Sequence, residues 1–441
     1  MVPYHHARWD AFASRNGAEC HVIELTNHDE FNVLEFSAPA RYIRHTLFPQ
    51  CAKSRVPTFE LRRKFWSVLD EIDPHVVCIS GYAQRMSLAA MQWATNRGLP
   101  LVVLSESNEF DERRSWPKEW LKRRLLRLCS AGLAGGRSQS EYLTRLGLPP
   151  GSVSVGYDVV DNQHFAAGLG DRITSRGAGR NRAHSNPAPE PERGTSRPAA
   201  HSVGCCFLPA VGRDVPRSGV VPEWANLSLP HKYFLACSRF GSKKNIPGAI
   251  TAYARYVERF RGECGPMAQP WHFVIIGDGE RRQEIEQTVD RFSLQNLVHL
   301  PGAIGYKDLA RHYSLAGAFV HASTTEQWGL VVNEAMASGL PVLVSSRCGC
   351  APELVRDGVN GFTFDPYNFE ELADLMLRVS AADFPRAAFG EASRRIIADW
   401  GPERFASGLH NAIDVALRAP RLRATWLDRA LLWALTHRRG A

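Results

Sequence analysis

Both halves of the chain repeat one pattern. A short apolar run bounded by polar turns is followed by a longer stretch with apolar residues every three or four positions. The short runs lie at 20–25, 75–80 and 99–105, and again at 232–238, 271–277, 296–302, 316–323 and 340–346. Continuous apolar runs of this length suit parallel strands buried on both faces, and the stretches between them suit amphipathic crossover helices. The helical stretches are 7–15, 59–72 and 87–98 in the first half, and 247–260, 279–292, 306–314 and 331–339 in the second. The pattern predicts an α/β protein of two Rossmann-like doubly wound domains, facing one another across a cleft at their strand carboxyl ends.

The halves are separated by a stretch of a different kind. Residues 168–222 hold one aromatic, Phe207, among Gly, Pro, Ser, Ala and Arg. Such a composition buries too little apolar area to offset its ordering entropy, which predicts a disordered insert. The expected division is a first Rossmann-like domain over 1–167, an insert and linker over 168–229, a second Rossmann-like domain over 230–400, and basic C-terminal helices over 401–441. One element is missing from this scheme. A doubly wound domain begins with a mid-sheet strand, and here a loop and helix come first, so the neighbours of that strand are expected to face a gap. The expectation that follows is a natural start further upstream.

Charge and composition narrow the function. The 441 residues carry a net charge of +8. Eight Arg against four acids sit in 168–222, and six Arg against Asp428 sit in 418–441, leaving the rest of the chain at −1. A neutral body without basic-aromatic repeats argues against nucleic-acid binding. No apolar run reaches the ~18–20 residues of a membrane span, and Met1 does not open a secretory signal. Ten cysteines without framework spacing suit reduced thiols in the cytoplasm.

The chemistry concentrates in 321–366. Glu326 falls in a loop after a strand, and Glu334 falls eight residues on, in the following helix. Between them Gly329, Leu330 and Val331 begin that helix, where backbone N–H groups without intrahelical partners make an anion site. A carboxylate on each side of an anion pocket suits a phosphate flanked by vicinal diols, as in a sugar nucleotide. Arg239 and Lys244 follow the first strand of the same half and face the same cleft. Taken singly, each of these charges is also explicable as a solvated loop residue. Gly277-Asp278-Gly279 lacks the third glycine of a dinucleotide fingerprint, so NAD is not indicated. Cys348-Gly349-Cys350 has no second ligand pair for zinc and reads as a packed turn.

Over some 140 residues (233–375) these motifs resemble, in order, the donor domain of the retaining glycosyltransferases of family 4, which have the GT-B fold. That family's Gly-Arg-Leu-x-x-x-Lys-Gly motif is similar to Ser238 through Asn245, with both glycines replaced. Its Glu-x7-Glu motif is similar to Glu326 through Glu334, and the Gly277 loop, Glu353 and the 358–361 turn also match. The resemblance implies that Arg239 and Lys244 grip the donor diphosphate and Glu334 accepts the ribose hydroxyls. It also implies that Glu326 binds the transferred sugar and that the N–H groups of Gly329–Val331 hold phosphate, with Gly277 and Trp328 lining the donor site. Two cations and a helix terminus can do the work of a metal, no Asp-x-Asp is present, and neither metal nor cofactor is expected.

The first half resembles the acceptor domain of that family more weakly. Where many members have a His after the third strand, Ser105-Glu106-Ser107 stands here. Glu106 is either an acceptor or sugar contact, or a helix cap or surface charge. His5 and His6, near the acceptor loop, are either contacts or solvated. The C-terminal stripe of Trp426, Leu427, Ala430, Leu431, Ala434 and Leu435 among arginines is either a closing helix packed on the first domain or a peripheral anchor on the inner membrane face. The expected activity is transfer of a hexose from a nucleotide-diphosphate sugar to a glycan or lipid-linked acceptor with retention. A non-catalytic sugar-nucleotide-binding homologue and a sugar-nucleotide epimerase are the alternatives.

Overall fold

The structure, a computed structural model, describes residues 3–15, 19–26, 39–49, 56–110, 114–167, 202–206, 232–421 and 424–437. They form two parallel sheets. The strands of the first are β1 (Glu19–Glu24), β2 (Ile43–Thr46), β3 (Val76–Ser80), β4 (Leu101–Ser105), β5 (Ala131–Ala134), β6 (Val153–Val155) and β7 (Ser202–Cys206), in the order β2-β1-β7-β3-β4-β5-β6. The second contains β8 (Tyr233–Cys237), β9 (His272–Ile276), β10 (Val298–Gly302), β11 (Ala318–His321), β12 (Val342–Ser345) and β13 (Gly361–Phe364), in the order β10-β9-β8-β11-β12-β13. Core strands such as β3, β4 and β12 are buried at every position, as continuous apolar runs require.

The expected gap in the first sheet is filled. β7 lies between β1 and β3, parallel to both, with Val203 opposite Cys20 on one side and Val76 on the other. It occupies the mid-sheet slot that the chain order left open and pairs the backbone groups its neighbours would otherwise expose. The insert expectation is therefore corrected for these five residues, while the rest of 168–231 lies outside the described residues. Gly204, paired with His21 and Val77, offers a test. Gly204→Pro removes a ladder donor from a central strand, which costs several kcal/mol, about 3 or more, by analogy with proline in a helix. The first domain is then expected to melt separately and earlier in calorimetry, whereas an unchanged melt would mean that β7 contributes nothing to the sheet.

The first helix also departs from expectation. It runs over Pro3–Arg15 rather than starting at Ala7, with Pro3 in the first turn, where its missing N–H costs nothing. Trp9 and Phe12 pack against the helix Pro402–Arg418, with the Trp9 and Phe405 rings edge-to-face at 5.1 Å. The chain thus crosses back after the second domain and closes the first. The helix Trp426–His437 continues this return onto the helix Arg85–Arg97. Leu432 enters the first core, Arg429 donates to Asn96 at 3.0 Å, and Asp428 meets Arg124 at 3.2 Å. Its buried residues are Asp428, Leu432 and Thr436, Leu435 of the predicted stripe packs partly buried against the same core, and Trp426 and Trp433 stay exposed.

Candidate active site

β8 and β11 are neighbours at the point where the second sheet's order reverses, and the loops after such strands open the crevice of a doubly wound fold. The loop after β8 carries Arg239 and turns through a short 3-10 helix, Ser242–Lys244. The loop after β11 carries Glu326. Lys244 and Glu326 meet there as an ion pair. Ser323 Oγ donates to Glu326 at 3.3 Å, and His321 Nε2 lies 3.5 Å from the same carboxylate.

The Glu326 loop enters the helix Leu330–Ala337 through Gly329 at φ 102°. A Cβ at Gly329 would sit 2.7 Å from Cys348 Sγ, so conformation and space both require glycine. The helix begins with the N–H groups of Leu330 and Val331, beside Glu326. One turn on, Glu334 is buried and accepts a hydrogen bond from Tyr313 at 2.7 Å.

The two carboxyls are electrostatically unlike. Burial opposes ionisation of Glu326, but the His321 hydrogen bond and the Lys244 charge outweigh it and hold the group well below the usual carboxylate range. His321 is raised to about 9, because its hydrogen bonds to Cys348 and Glu326 outweigh burial. Glu326 is thus a fixed anion at neutral pH, able to accept hydroxyl protons in hydrogen bonds and unable to act as an acid. Burial pushes Glu334 up to about 7 against the Tyr313 hydrogen bond. It is poised to ionise when two donors arrive.

Arg239 is exposed on its loop. Gly277, at φ 140°, lies against the Ser238 carbonyl, and Phe240 N donates to Asp278 O at 2.9 Å. Its place is under the Arg239 loop, which it braces. Trp328 stands apart from its predicted role. Its side chain is 1% exposed, packs against the tilted Trp400 ring at 4.9 Å and donates Nε1–H to Asn333 at 3.0 Å. It faces Gly136 of the first domain, where a Cβ on that glycine would meet its ring at 2.7 Å.

The first domain meets this loop directly. Gln139 and Asn108 donate side-chain amides to the Gln327 carbonyl at 2.6 and 3.4 Å. Glu106, just past β4, is half-buried. Burial and Glu106 push the Asp158 carboxyl well above its usual range, and Arg8 sits 3.8 Å from it. Arg8 also donates to the Val159 carbonyl at 2.8 and 3.1 Å and lies between the Tyr4 and Tyr157 rings. Neither histidine is solvated. His5 is buried and held neutral by burial and Arg8, while His6 pairs with the Tyr42 hydroxyl at 3.0 Å. His321, Tyr313, Asp158 and Arg8 were not predicted. They come from other elements, and only a histidine inside the apolar run of β11 hinted at one of them.

The comparisons agree with this architecture. Residues 225–396 match the family described as glycosyl transferases group 1. That match takes in less than half of the chain, and the described residues have the GT-B fold. Part of the chain is 34% identical to the sucrose synthase of Acidithiobacillus caldus over 165 residues, and 27% identical to the poly(glycerol-phosphate) alpha-glucosyltransferase of Bacillus subtilis over 199. Those alignments take in 35% and 44% of this chain and only 20% and 28% of the relatives' own lengths. The fold is similar to Anabaena HepE solved with UDP and glucose, with TM-score 0.58 and 16% identity over 85% of this chain and 87% of that one. It is also similar to the sucrose-phosphate synthase of Thermosynechococcus elongatus, with TM-score 0.63 and 15% identity over 92% and 91%.

Proposed function

We propose that the chain transfers a hexose from a nucleoside-diphosphate donor to a glycan or lipid-linked acceptor, with retention at the anomeric carbon. The observation that carries this reading is the Lys244–Glu326 pair at the reversal point of the second sheet, beside a helix N-terminus and a buried Glu334. The donor's diphosphate takes Lys244, Arg239 and the N–H groups of Leu330 and Val331, which stabilise the leaving group as the glycosidic bond breaks. Glu326, freed from Lys244, accepts sugar hydroxyls, and Glu334 accepts the ribose hydroxyls. Glu106 faces the acceptor. No metal takes part, since cations and helix dipole supply the positive charge. Proton NMR of the sugar released from an α-linked donor tests retention: the α anomer appears first, and initial release of the β anomer rules retention out.

Glu334 makes donor binding depend on pH. With a group at about 7, the hydroxyl-accepting carboxylate is lost as pH falls below neutrality. Affinity for UDP-glucose is expected to fall toward tenfold per unit below about pH 7 and to level off above it. Titration calorimetry should show the slope, and Glu334→Gln should flatten it. A slope unchanged in the variant would place the titrating group elsewhere.

A lipid-linked acceptor fits one surface. The helix Trp116–Leu126 and the helix Trp426–His437 are joined by Arg124–Asp428, and together they expose Trp116, Trp426 and Trp433 beside Lys118, Arg123 and Arg127. Tryptophan among cations suits an anionic lipid interface. The protein should sediment with phosphatidylglycerol vesicles and not with phosphatidylcholine, and Trp116→Ala with Trp426→Ala should weaken binding by about tenfold. Equal partition to both lipids would contradict this surface.

A further inference from the structure

The turn after β12 carries two thiols that the proposed reaction does not use. Cys348 and Cys350 are both buried, and their sulfurs lie 3.4 Å apart. The turn is bonded to the Glu326 loop along its length. Glu326 N donates to the Arg347 carbonyl at 3.3 Å, Gly349 N to the Glu326 carbonyl at 3.0 Å, and Cys350 N to the Trp328 carbonyl at 3.0 Å. Cys348 Sγ donates to that same Trp328 carbonyl at 2.8 Å and sits against Gly329, while His321 hydrogen-bonds to it from β11. Arg347 on the near side is exposed and Gly349 is half-exposed, so the pair lies one residue beneath the surface.

We propose that Cys348 and Cys350 form a peroxide-oxidisable dithiol whose closure to a disulfide reshapes the Glu326–Gly329 turn.

The chemistry follows from the neighbours. Burial opposes ionisation of Cys348, but hydrogen bonds from Cys350 and His321 bring its thiol down to about 6. Burial alone pushes Cys129 up to about 12, and burial with the Glu334 charge pushes Cys237 to about 12 against Tyr313 and Lys244. Cys348 leaves the Trp328 carbonyl and passes its proton to the His321 imidazole, so that a thiolate beside an imidazolium stands where the thiol was. The thiolate attacks one oxygen of hydrogen peroxide, a C–S–O–H group forms and the O–O bond breaks. The departing hydroxide takes the His321 proton and becomes water. The Cys350 sulfur then attacks the Cys348 sulfur; the S–S bond forms, the S–O bond breaks, and the hydroxide leaves with the Cys350 proton as a second water. Two thiols are oxidised by two electrons and one peroxide is reduced. The sulfurs close from contact to about 2.05 Å, and Cys348 no longer donates to Trp328.

The test uses the whole reduced chain, about one equivalent of hydrogen peroxide, alkylation of remaining thiols and mass analysis of the tryptic peptide 348–356, which holds both cysteines. That peptide should resist alkylation, weigh about 2 Da less than its reduced form, and recover with dithiothreitol. It should oxidise at least about tenfold faster than the peptides of Cys129 and Cys237. Cys350→Ser should stop at the sulfenic acid and take a dimedone label on Cys348. A 348–356 peptide that stays fully alkylatable, or that passes to sulfinic acid with no disulfide, overturns the proposal. The consequence for ligand rests on the donor-site reading: oxidation should weaken UDP binding by at least about tenfold, reversibly. If UDP binds neither form, the donor reading fails while the peptide mass still decides the dithiol. If UDP binds both forms equally, the disulfide leaves the turn intact and that half of the proposal falls.

Discussion

Arg239→Ala should abolish transfer and leave the melting temperature almost unchanged, and Glu326→Gln should lower kcat by about 10²–10³-fold, the usual cost of removing one positioned group that meets transition-state charge. The two variants separate because their side chains differ in setting. Arg239 is exposed, so its truncation should move stability by no more than about 0.5 kcal/mol. Glu326 is 18% exposed and balances Lys244 and His321. Glutamine keeps its shape but leaves those cations uncompensated, so some loss of stability accompanies the loss of rate. Because Glu326 is largely enclosed, its alanine variant should melt lower than its glutamine variant, since alanine also vacates the space. Full activity in Arg239→Ala, with saturating donor, would remove it from the leaving-group site.

Trp328→Ala should cost about 3–5 kcal/mol, the usual range for deleting a large aromatic from a core. That corresponds to a melting drop on the order of 10 °C. Its ring fills the space between Trp400 and Gly136, where a Cβ on that glycine would already approach to 2.7 Å, and its indole N–H satisfies buried Asn333. Asn333 in turn donates to the Asp158 carbonyl at 3.2 Å. The variant therefore loosens the join between the domains as well as the core. Trp328→Phe keeps most of the packing and loses the hydrogen bond, for about 1 kcal/mol. Thermal melts decide it. A Trp328→Ala protein that melts like the parent but binds nucleotide poorly would return the ring to the donor site.

What the sequence shows and hides has physical causes. Strands β3, β4, β8, β9 and β12 are legible because a parallel strand buried on both faces must be apolar throughout. β7 is not legible. Ser202–Cys206 is short, contains a glycine and is set among Pro and Arg, and what places it is the pairing capacity of β1 and β3, a property of residues far away in sequence. The burial of His5 is hidden for a similar reason, since the helix Pro402–Arg418 packs on the helix that carries it. Lys244, Glu326 and Glu334 could be picked out because each follows a strand or begins a helix at a spacing the fold fixes. Their partners His321, Tyr313 and Cys348 could not, because each arrives from a different element. The resemblance that puts Trp328 at the donor site carries no information about its packing partners, because Trp400 and Gly136 come from elements far away in sequence.

In the proposed reading the Arg239–Lys244–Glu326–Glu334 group binds a nucleoside-diphosphate sugar without a metal. A thermal-shift screen of UDP-, GDP-, ADP- and TDP-sugars, each with and without EDTA, tests it most directly. One nucleotide class should stabilise the protein by about 2.7 kcal/mol at a hundred times its dissociation constant, with the same shift in EDTA and none in Arg239→Ala. A shift that EDTA removes would contradict the metal-free site, and no shift with any donor would contradict the reading itself.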